Sequence, residues 1–249
     1  SIAIDRSGNL FVLDAGNNRI LRFPKPMETT PEDRTADLVI GQADLKGYLG
    51  NQNLPTPSEA TIYTAQVSQS SIQVVSSSIA FDADGNLWLT DAGNNRVLRY
   101  TAADVSGSAG RAGIGADLVL GQPDFQSRTG AGNNTRATKT KLIQPGALAF
   151  DKSGDLFVAD DLGRVIVYQP PFASNQTAKR ILGLVPSADG QTAPAIVSAT
   201  SFGLVATGVD KYNYSQPIGI FAVEDDLFVS DSANHRILRY GPMSSWAEE

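Results

Sequence analysis

Four pairs of an aspartate and an arginine recur along the sequence. The two residues are five positions apart in the first, second and fourth pairs and four positions apart in the third pair. These pairs are Asp14 with Arg19, Asp91 with Arg96, Asp160 with Arg164, and Asp231 with Arg236. Taken singly, a carboxylate beside a guanidinium suggests catalysis. An active site is normally built once, however, whereas a structural contact is needed in every repeat. Because the arginine fork can clamp a carboxylate and backbone carbonyls, we predict that the pairs are structural locks and assign no catalytic residue.

Other side chains with reactive chemistry are scarce. The sequence has no cysteine, which excludes disulfides and thiolate metal sites, and a single histidine, His235. His235 occupies the place that Asn18 and Asn95 hold in their repeats, so we predict a structural role for it. A zinc site with several histidines cannot be placed, and a catalytic triad would have to use His235.

One segment has the spacing of a short calcium loop. Asp82 and Asp84 are followed by a glycine and an asparagine, but the bidentate glutamate of such loops is missing. Two sister turns place Ser7 and Ser153 where Asp84 stands. We therefore predict a hairpin turn and no cofactor, with calcium as the alternative.

The composition excludes several classes of protein. The chain has 249 residues, of which 41% are hydrophobic and 18% charged, as in a globular protein. Its formal net charge of −6 argues against a nucleic-acid partner. The sequence contains no run of 18 apolar residues that would predict a membrane span.

Around each pair, the sequence predicts four short strands. A continuous apolar run is expected to form a strand buried on both faces, and a turn and a second strand follow it. A third strand with one more solvent-exposed face follows the Asp–Arg turn, and a fourth strand comes after it. The predicted first strands are residues 2–4, 79–81, 147–150 and 218–223, and the predicted fourth strands are residues 36–42, 116–122 and 180–183.

These units predict an all-β fold. Short antiparallel strands without helical periodicity, in units of about 70 residues, are typical of β-propeller blades with long loops. We expect one propeller region over residues 1–249. Its units are residues 1–77, 78–145, 146–217 and an incomplete 218–249.

The repeated motif resembles that of the NHL-repeat family. It reads Asp-x-x-Gly-Asn, then Leu-[Phe/Trp]-Val-x-Asp-x-Gly-Asn-[Asn/His]-Arg-[Ile/Val], and Asn234, His235 and Leu238 give the family's own spelling. The Asp-Leu-Val-[Ile/Leu]-Gly-Gln segments are similar to those of long-unit bacterial members. The resemblance covers essentially the whole chain. It implies a propeller, and functions that range from RNA and protein binding to lyase chemistry.

We predict a non-catalytic binding scaffold, extracellular or on a bacterial cell surface, that uses its loops and channel face to bind a protein, small-molecule or glycan ligand. The alternative is a lactonase-like or lyase-like propeller enzyme with an acidic metal site in the central channel. An RNA binder is the third hypothesis.

Fifteen strands are expected: four in each of the first three units and three in the fourth. No spare strand is available to complete the fourth unit, so we predict that these residues belong to a longer, six-bladed ring. A closed four-bladed ring is the alternative. In that case the first strands of units one and four would be neighbours around one channel.

Overall fold

The computed structural model describes residues 1–67, 72–107, 110–130, 138–161, 163–182, 219–231 and 236–246. Four antiparallel sheets follow one another along the chain, and we call them blades one to four. Blade one contains β1 (Ile2–Ile4), β2 (Leu10–Asp14), β3 (Arg19–Phe23) and β4 (Leu38–Ile40). Blade two contains β7 (Ile79–Phe81), β8 (Leu87–Asp91), β9 (Arg96–Tyr100) and β11 (Leu118–Leu120).

The third and fourth blades repeat this order. Blade three contains β12 (Ala147–Phe150), β13 (Leu156–Asp160), β14 (Arg164–Tyr168) and β15 (Arg180–Leu182). Blade four contains β16 (Gly219–Val223), β17 (Asp226–Asp231) and β18 (Arg236–Tyr240). These strands confirm the predicted all-β propeller blades.

Several elements lie outside this pattern and were not predicted. A hairpin of β5 (Ala65–Val67) and β6 (Ile72–Val74) interrupts the loop between blades one and two. Strand β10 (Arg111–Ile114) lies between β9 and β11 of blade two in the sequence, but it pairs in parallel with β4 of blade one. A five-residue helix, α1 (Ala102–Ser106), precedes it, with Thr101 as its N-cap. The described part of the chain therefore contains 18 strands rather than the expected 15.

Each blade has two distinct faces because side chains alternate along its strands. The forward face packs on the next blade along the chain, and the backward face packs on the previous one. In the first junction, Phe11, Leu13 and Ile20 of blade one lie against five buried residues of blade two. Those five are Ile79, Leu87, Leu89, Leu98 and Tyr100.

The next two junctions repeat the same register. Trp88 and Val97 of blade two pack on the backward face of blade three. Phe157 and Val165 of blade three pack on the backward face of blade four. Aromatic rings cross two junctions edge to face, with centroids 5.1 Å apart for Phe11 and Phe81 and 5.5 Å apart for Trp88 and Phe150.

Two expectations about burial are wrong. The first strands β1 and β16 are not buried on both faces, because no described blade covers the backward face of blade one or the forward face of blade four. Strand β14 is buried throughout rather than wet on one face, because it lies between two blades.

The closed four-bladed ring is not formed. Ile2 and Ile4 of β1 are 68% and 63% exposed, and Phe221 of β16 is 52% exposed. The two end faces therefore do not bury each other. That the chain belongs to a six-bladed ring stays a prediction.

Candidate functional site

The Asp–Arg turns join the second and third strands of the blades, at the same end as the loops that lead to the next blade. We call this end the lock face, and the opposite end, which carries the turns at residues 5–9, 82–86 and 151–155, the turn face. The loop at residues 41–64 and the described segments 121–130 and 138–146 cross the lock face.

The turn of blade two is completely enclosed. Arg96 Nε donates to Asp91 Oδ2 over 2.7 Å, and both side chains are 0% exposed. The other oxygen of Asp91 accepts from the backbone N–H of Tyr63 at 2.7 Å. The remaining arginine nitrogens donate to three loop carbonyls, those of Ser58, Thr61 and Phe125. The pair thus holds the incoming and the outgoing loop at once.

The turn of blade three has a similar arrangement. Arg164 and Asp160 form an ion pair of 2.9 Å with both side chains fully buried. Arg164 donates to the carbonyls of Thr138 and Lys141, each at 2.8 Å, in the incoming loop. The backbone N–H of Ile143 in that loop donates to Asp160.

The outer blades differ. In blade one the ion pair of Arg19 and Asp14 is also 2.7 Å long, but the two side chains are 18% and 27% exposed. Arg19 makes one loop contact, to the carbonyl of Leu45. In blade four, Asp231 and Arg236 are opposite each other in the strand register. The side chain of Asp231 and residues 232–235, including His235, lie outside the described residues.

The chemistry open to the enclosed pairs is narrow. In blade two both oxygens of the carboxylate accept protein donors, since Asn94 also donates to Asp91 Oδ2 at 2.8 Å. All three guanidinium nitrogens of Arg96 are engaged as well. Such a pair has nothing left to offer a substrate, and this geometry favours the structural role, which mutation can test.

In blades one and two, the asparagine just before the arginine of the Asp–Arg turn anchors the neighbouring loop, a role that the repeated motif alone does not predict. Asn18 and Asn95 adopt left-handed backbone conformations, with φ of 51° and 55°. Asn18 donates to the carbonyl of Tyr48 and accepts from the N–H groups of Thr64 and Ala65, so it joins the two ends of loop 41–64.

Asn95 does the same in the next loop. It donates to the carbonyl of Arg128 at 2.9 Å and accepts from the N–H of Gln144 at 2.8 Å. The repeated Asn-Asn of the motif was the available signal for this role.

Two further anchors are buried amides. Gln42 donates to the carbonyls of Asn18 and Leu49, and Gln122 donates in the same way to those of Asn95 and Thr129. The Gly-Gln pair recurs at residues 41–42 and 121–122, at the ends of two predicted fourth strands, and the strand prediction does not include its role as a loop anchor. Asn51 and Asn94 exchange reciprocal hydrogen bonds of 2.9 and 2.8 Å, and no repeat pattern marks Asn51.

On the turn face, the segment with calcium-like spacing forms a hairpin turn. Asp82 accepts from the backbone of Asp84 and Asn86 and from the indole of Trp88. Its oxygens are therefore used within the turn. Among the residues that the structure describes, no group of three or more His, Cys, Asp or Glu is placed to hold a metal ion.

Burial raises the pKa of three described carboxyl groups, and it does so most for Asp151 and Asp161. Burial, together with the nearby Asp155 and Asp225, raises the pKa of Asp151 to about 6. On the lock face, burial and the adjacent Asp160 raise the pKa of Asp161 to about 6. Both groups are thus poised to titrate in a mildly acidic range.

No model of a known protein family matches the sequence, and no curated protein matches it. Among solved structures, the chain is similar to the β-propeller domain of Myceliophteria thermophila Cps50 (Swd1), with a TM-score of 0.48 and 8% identity over 96% of this chain and 49% of that one. It therefore spans about half the length of that protein.

The chain is also similar to a streptogramin B lyase, with a TM-score of 0.38 and 10% identity over 96% of this chain and 67% of that one. At these values neither likeness bears on function. None of the described helices is long and apolar enough to cross a membrane.

Proposed function

We propose that the chain is a non-catalytic interaction scaffold of the NHL-repeat type that binds its ligand through the loops of the lock face. The observation that carries this proposal is the way in which loop 41–64 is fixed. Its backbone is held by the anchors of two successive blades, and three of its large apolar side chains are half exposed.

Blade one holds the start and the end of this loop. Asn18 and Gln42 bind the carbonyls of Tyr48 and Leu49 respectively, and Asn18 also binds the N–H of Thr64. Blade two holds the middle of the loop through the Asn51–Asn94 pair and the carbonyls that Arg96 binds. A loop fixed at this many points loses little conformational entropy on binding a partner.

Three large side chains of this loop remain half exposed. Leu45 is 48% exposed, Tyr48 is 49% exposed and Leu54 is 51% exposed. Tyrosine and leucine on a rigid loop provide contact area at low entropic cost, which suits a protein, small-molecule or glycan ligand. We propose that the ligand is met outside the cell or at a bacterial cell surface.

Membership of the NHL-repeat family is part of the proposal. It is supported by the same turn sequence in successive blades, with aspartate and arginine paired in each described lock. The structural role of Asp14, Arg19, Asp91, Arg96, Asp160, Arg164, Asp231 and Arg236 follows from that reading and rests on the same geometry.

Binding measurements on purified ligands test the proposal. The immobilised chain is used to select ligands from a glycan array and from an extracellular protein fraction, and each purified ligand is titrated calorimetrically. The triple variant Leu45→Ser, Tyr48→Ser, Leu54→Ser should weaken binding at least about tenfold, since apolar anchors carry most of the energy of an interface. Met27→Ser is the matched control, because Met27 is 89% exposed in the connection between β3 and β4 on the turn face.

Three results would contradict this function. Unchanged affinity of the triple variant would remove the lock face as the binding surface. A rise in melting temperature with calcium, together with turnover of a bound ligand, would favour the lactonase-like or lyase-like enzyme. Salt-sensitive, submicromolar binding to single-stranded RNA would favour the RNA binder.

A further inference from the structure

Two segments of the sequence are cationic, although the net charge of the chain is −6. Residues 125–150 contain four lysines and arginines and no aspartate or glutamate. Residues 162–188 contain three lysines and arginines and again no acidic residue. All 26 acidic residues therefore lie in the rest of the chain, and the charges of the two signs are separated along the sequence.

Hydrogen bonds bring the two cationic segments together in the structure. The N–H of Ala178 donates to the carbonyl of Lys139 at 2.8 Å, and the ammonium group of Lys139 donates to the carbonyl of Lys179 at 3.2 Å. The carbonyl of Lys141 accepts from Arg164, which fixes this lysine at the lock of blade three. The two segments therefore form one surface, which runs from the lock face to the outermost strand of blade three.

Arg128 adds a further cation from the loop that leaves blade two. Its carbonyl accepts from the side chain of Asn95, and the same side chain accepts from the N–H of Gln144 in the loop that enters blade three. Arg128 thus occupies the position that Tyr48 has in the loop of blade one, where Asn18 binds the carbonyl. The backbone of Arg128 is held in the same way as that of Tyr48, but a cation replaces the aromatic ring.

We call Arg128, Lys141 and Lys179 the cationic strip. All three residues are exposed, and within the described ranges none of the three side chains forms an ion pair or a hydrogen bond. Exposed lysines of the turn face, by contrast, pair with glutamates, as Lys152 does with Glu224. The charges of the cationic strip are therefore free to bind an anionic ligand.

The neighbours of the cationic strip carry hydroxyl and amide groups. Those that are exposed include Gln126, Thr129, Thr140, Gln144 and Thr177. Among the described residues between 75 and 182, no large apolar side chain is exposed, whereas the core of a protein interface is rich in aromatic residues and poor in lysine. Single-stranded nucleic acids also need exposed aromatic rings, on which their bases stack. The surface is therefore best suited to a ligand that combines acidic groups with hydroxyl groups.

We propose that the cationic strip binds an anionic polysaccharide, whose carboxylate or sulfate groups pair with Arg128, Lys141 and Lys179. The inference rests on the proposed binding role of the lock face and names the chemical class of its ligand. One exposed ion pair contributes little to affinity, so binding requires several acidic groups of the same polymer. Affinity should therefore rise with the length of the polysaccharide and fall with salt.

Calorimetric titration with two polyanions tests the proposal. Polygalacturonate carries carboxylates and dextran sulfate carries sulfates, so the two titrations show which acidic group is bound, and neutral dextran should not bind. Affinity for at least one of the polyanions should fall roughly tenfold between about 50 and 200 mM salt, because about three cations release counterions from the polymer.

Two triple variants locate the binding surface. The variant Arg128→Gln, Lys141→Gln, Lys179→Gln should weaken binding of the polyanion at least about tenfold and should reduce its salt dependence. The variant Lys25→Gln, Arg34→Gln, Lys152→Gln removes the same charge from exposed positions of the turn face, and as the matched control it should bind like the wild-type chain. Because all six positions are exposed, both variants should fold, and circular dichroism checks this.

Three outcomes would overturn the proposal. Neither polyanion binds, or the two triple variants lose affinity equally, which would mean that binding follows net charge alone. The third outcome is that poly-glutamate or single-stranded RNA binds as tightly as the polysaccharides and is weakened by the same variant, so that the cationic strip does not select a polysaccharide.

The apolar variant Leu45→Ser, Tyr48→Ser, Leu54→Ser distinguishes a failure of this inference from a failure of the proposed function. If that variant weakens binding of a selected ligand while neither polyanion binds the wild-type chain, the scaffold function stands and the cationic strip is wrong. If the cationic-strip variant loses the polyanion while the apolar variant keeps it, the cationic strip is confirmed and the apolar residues of loop 41–64 are not part of the site.

Discussion

Blades one and two contain the same six-residue turn, Asp-Ala-Gly-Asn-Asn-Arg, at residues 14–19 and 91–96. In both, arginine and aspartate are 2.7 Å apart. In blade two the pair is completely buried and the guanidinium reaches three loop carbonyls. In blade one the pair is partly exposed and the guanidinium reaches one.

The difference lies in what covers the turn and not in the turn itself. Arg96 lies beneath the incoming loop 41–64 and also binds the outgoing loop at Phe125. Arg19 binds only the outgoing loop within the described residues. An identical motif can therefore be an enclosed ion pair in one repeat and a half-solvated one in another, and its contribution to stability should differ accordingly.

The largest expected effect is that of Arg96→Ala. The substitution leaves the buried Asp91 carboxylate without its cation and three loop carbonyls without their donor. It should lower the free energy of unfolding by on the order of 3–5 kcal/mol. The same change at Arg19 should cost about 1 kcal/mol or less, because water can solvate Asp14. Urea denaturation of both variants measures the two values.

Equal losses of unfolding free energy in Arg96→Ala and Arg19→Ala would contradict the comparison. They would mean that the turn contributes the same stability whether or not loops bury it. An unchanged melting temperature for Arg96→Ala would refute the structural role itself. If ligand binding fell while stability did not, Arg96 would belong to a functional site.

A second contrast concerns the first asparagine of the Asn-Asn pair in the turns of blades one and two, Asn17 and Asn94. Asn94 is fully buried and bonded to Asn51 as well as to Asp91. Asn17 is half-buried and donates only to Asp14 among the described contacts. Asn94→Ala should cost about 1–3 kcal/mol, because it leaves the Asn51 amide buried without partners, whereas Asn17→Ala should cost about 1 kcal/mol or less.

A double-mutant cycle isolates the amide pair. If Asn51→Ala and Asn94→Ala are additive, the reciprocal hydrogen bonds contribute nothing of their own and the prediction is wrong. A coupling of about 1 kcal/mol or more would support the pair as the bridge between loop 41–64 and blade two.

These contrasts show which features the sequence could predict. The strands, the Asp–Arg pairing and the hairpin at Asp82 followed from the repeat, because local spacing and turn chemistry determine them. The burial of each pair could not be predicted, because it depends on contacts such as Ser58 with Arg96 that join distant, unrepeated segments. Strand β10 and the hairpin β5–β6 could not be predicted for the same reason, since their short sequences do not recur in the other units.

The stability of the chain should also depend on pH, through Asp151 in the turn of blade three at residues 151–155. In the folded chain the pKa of Asp151 is raised to about 6, well above the value of 3.8 for a free carboxyl, chiefly by burial. The folded state therefore binds a proton that the unfolded state releases between about pH 4 and 6. Stability is fully present below this range and is lost as the pH rises through about 6, so the melting temperature should rise as the pH falls from 7 to 5.

Asp151→Asn should reduce this dependence. The remainder should come from Asp161, whose pKa burial raises to about 6, and from Asp155, whose pKa burial also raises. Glu28→Gln, at an exposed position with the same change in charge, is the matched control and should leave the pH dependence as it is. A melting temperature that is lower at pH 5 than at pH 7 would mean that these carboxyls do not govern stability in this range.

The smallest effect comes from one hydroxyl at the end of the third strand. Tyr100 of blade two is fully buried, and its hydroxyl is without a hydrogen-bond partner in the part of the chain that the structure describes. Burial also raises the pKa of Tyr100 above its usual value, as expected for a group without solvent. The equivalent residue of blade one is already Phe23.

Tyr100→Phe should therefore stabilise the chain by about 1 kcal/mol, because a buried, unpaired hydroxyl is removed. The reverse change, Phe23→Tyr, should be nearly neutral, because that position is partly exposed and water can reach the new hydroxyl. Denaturation curves of the two variants measure the difference, and a loss of stability in Tyr100→Phe would show that the hydroxyl has a partner, such as an internal water.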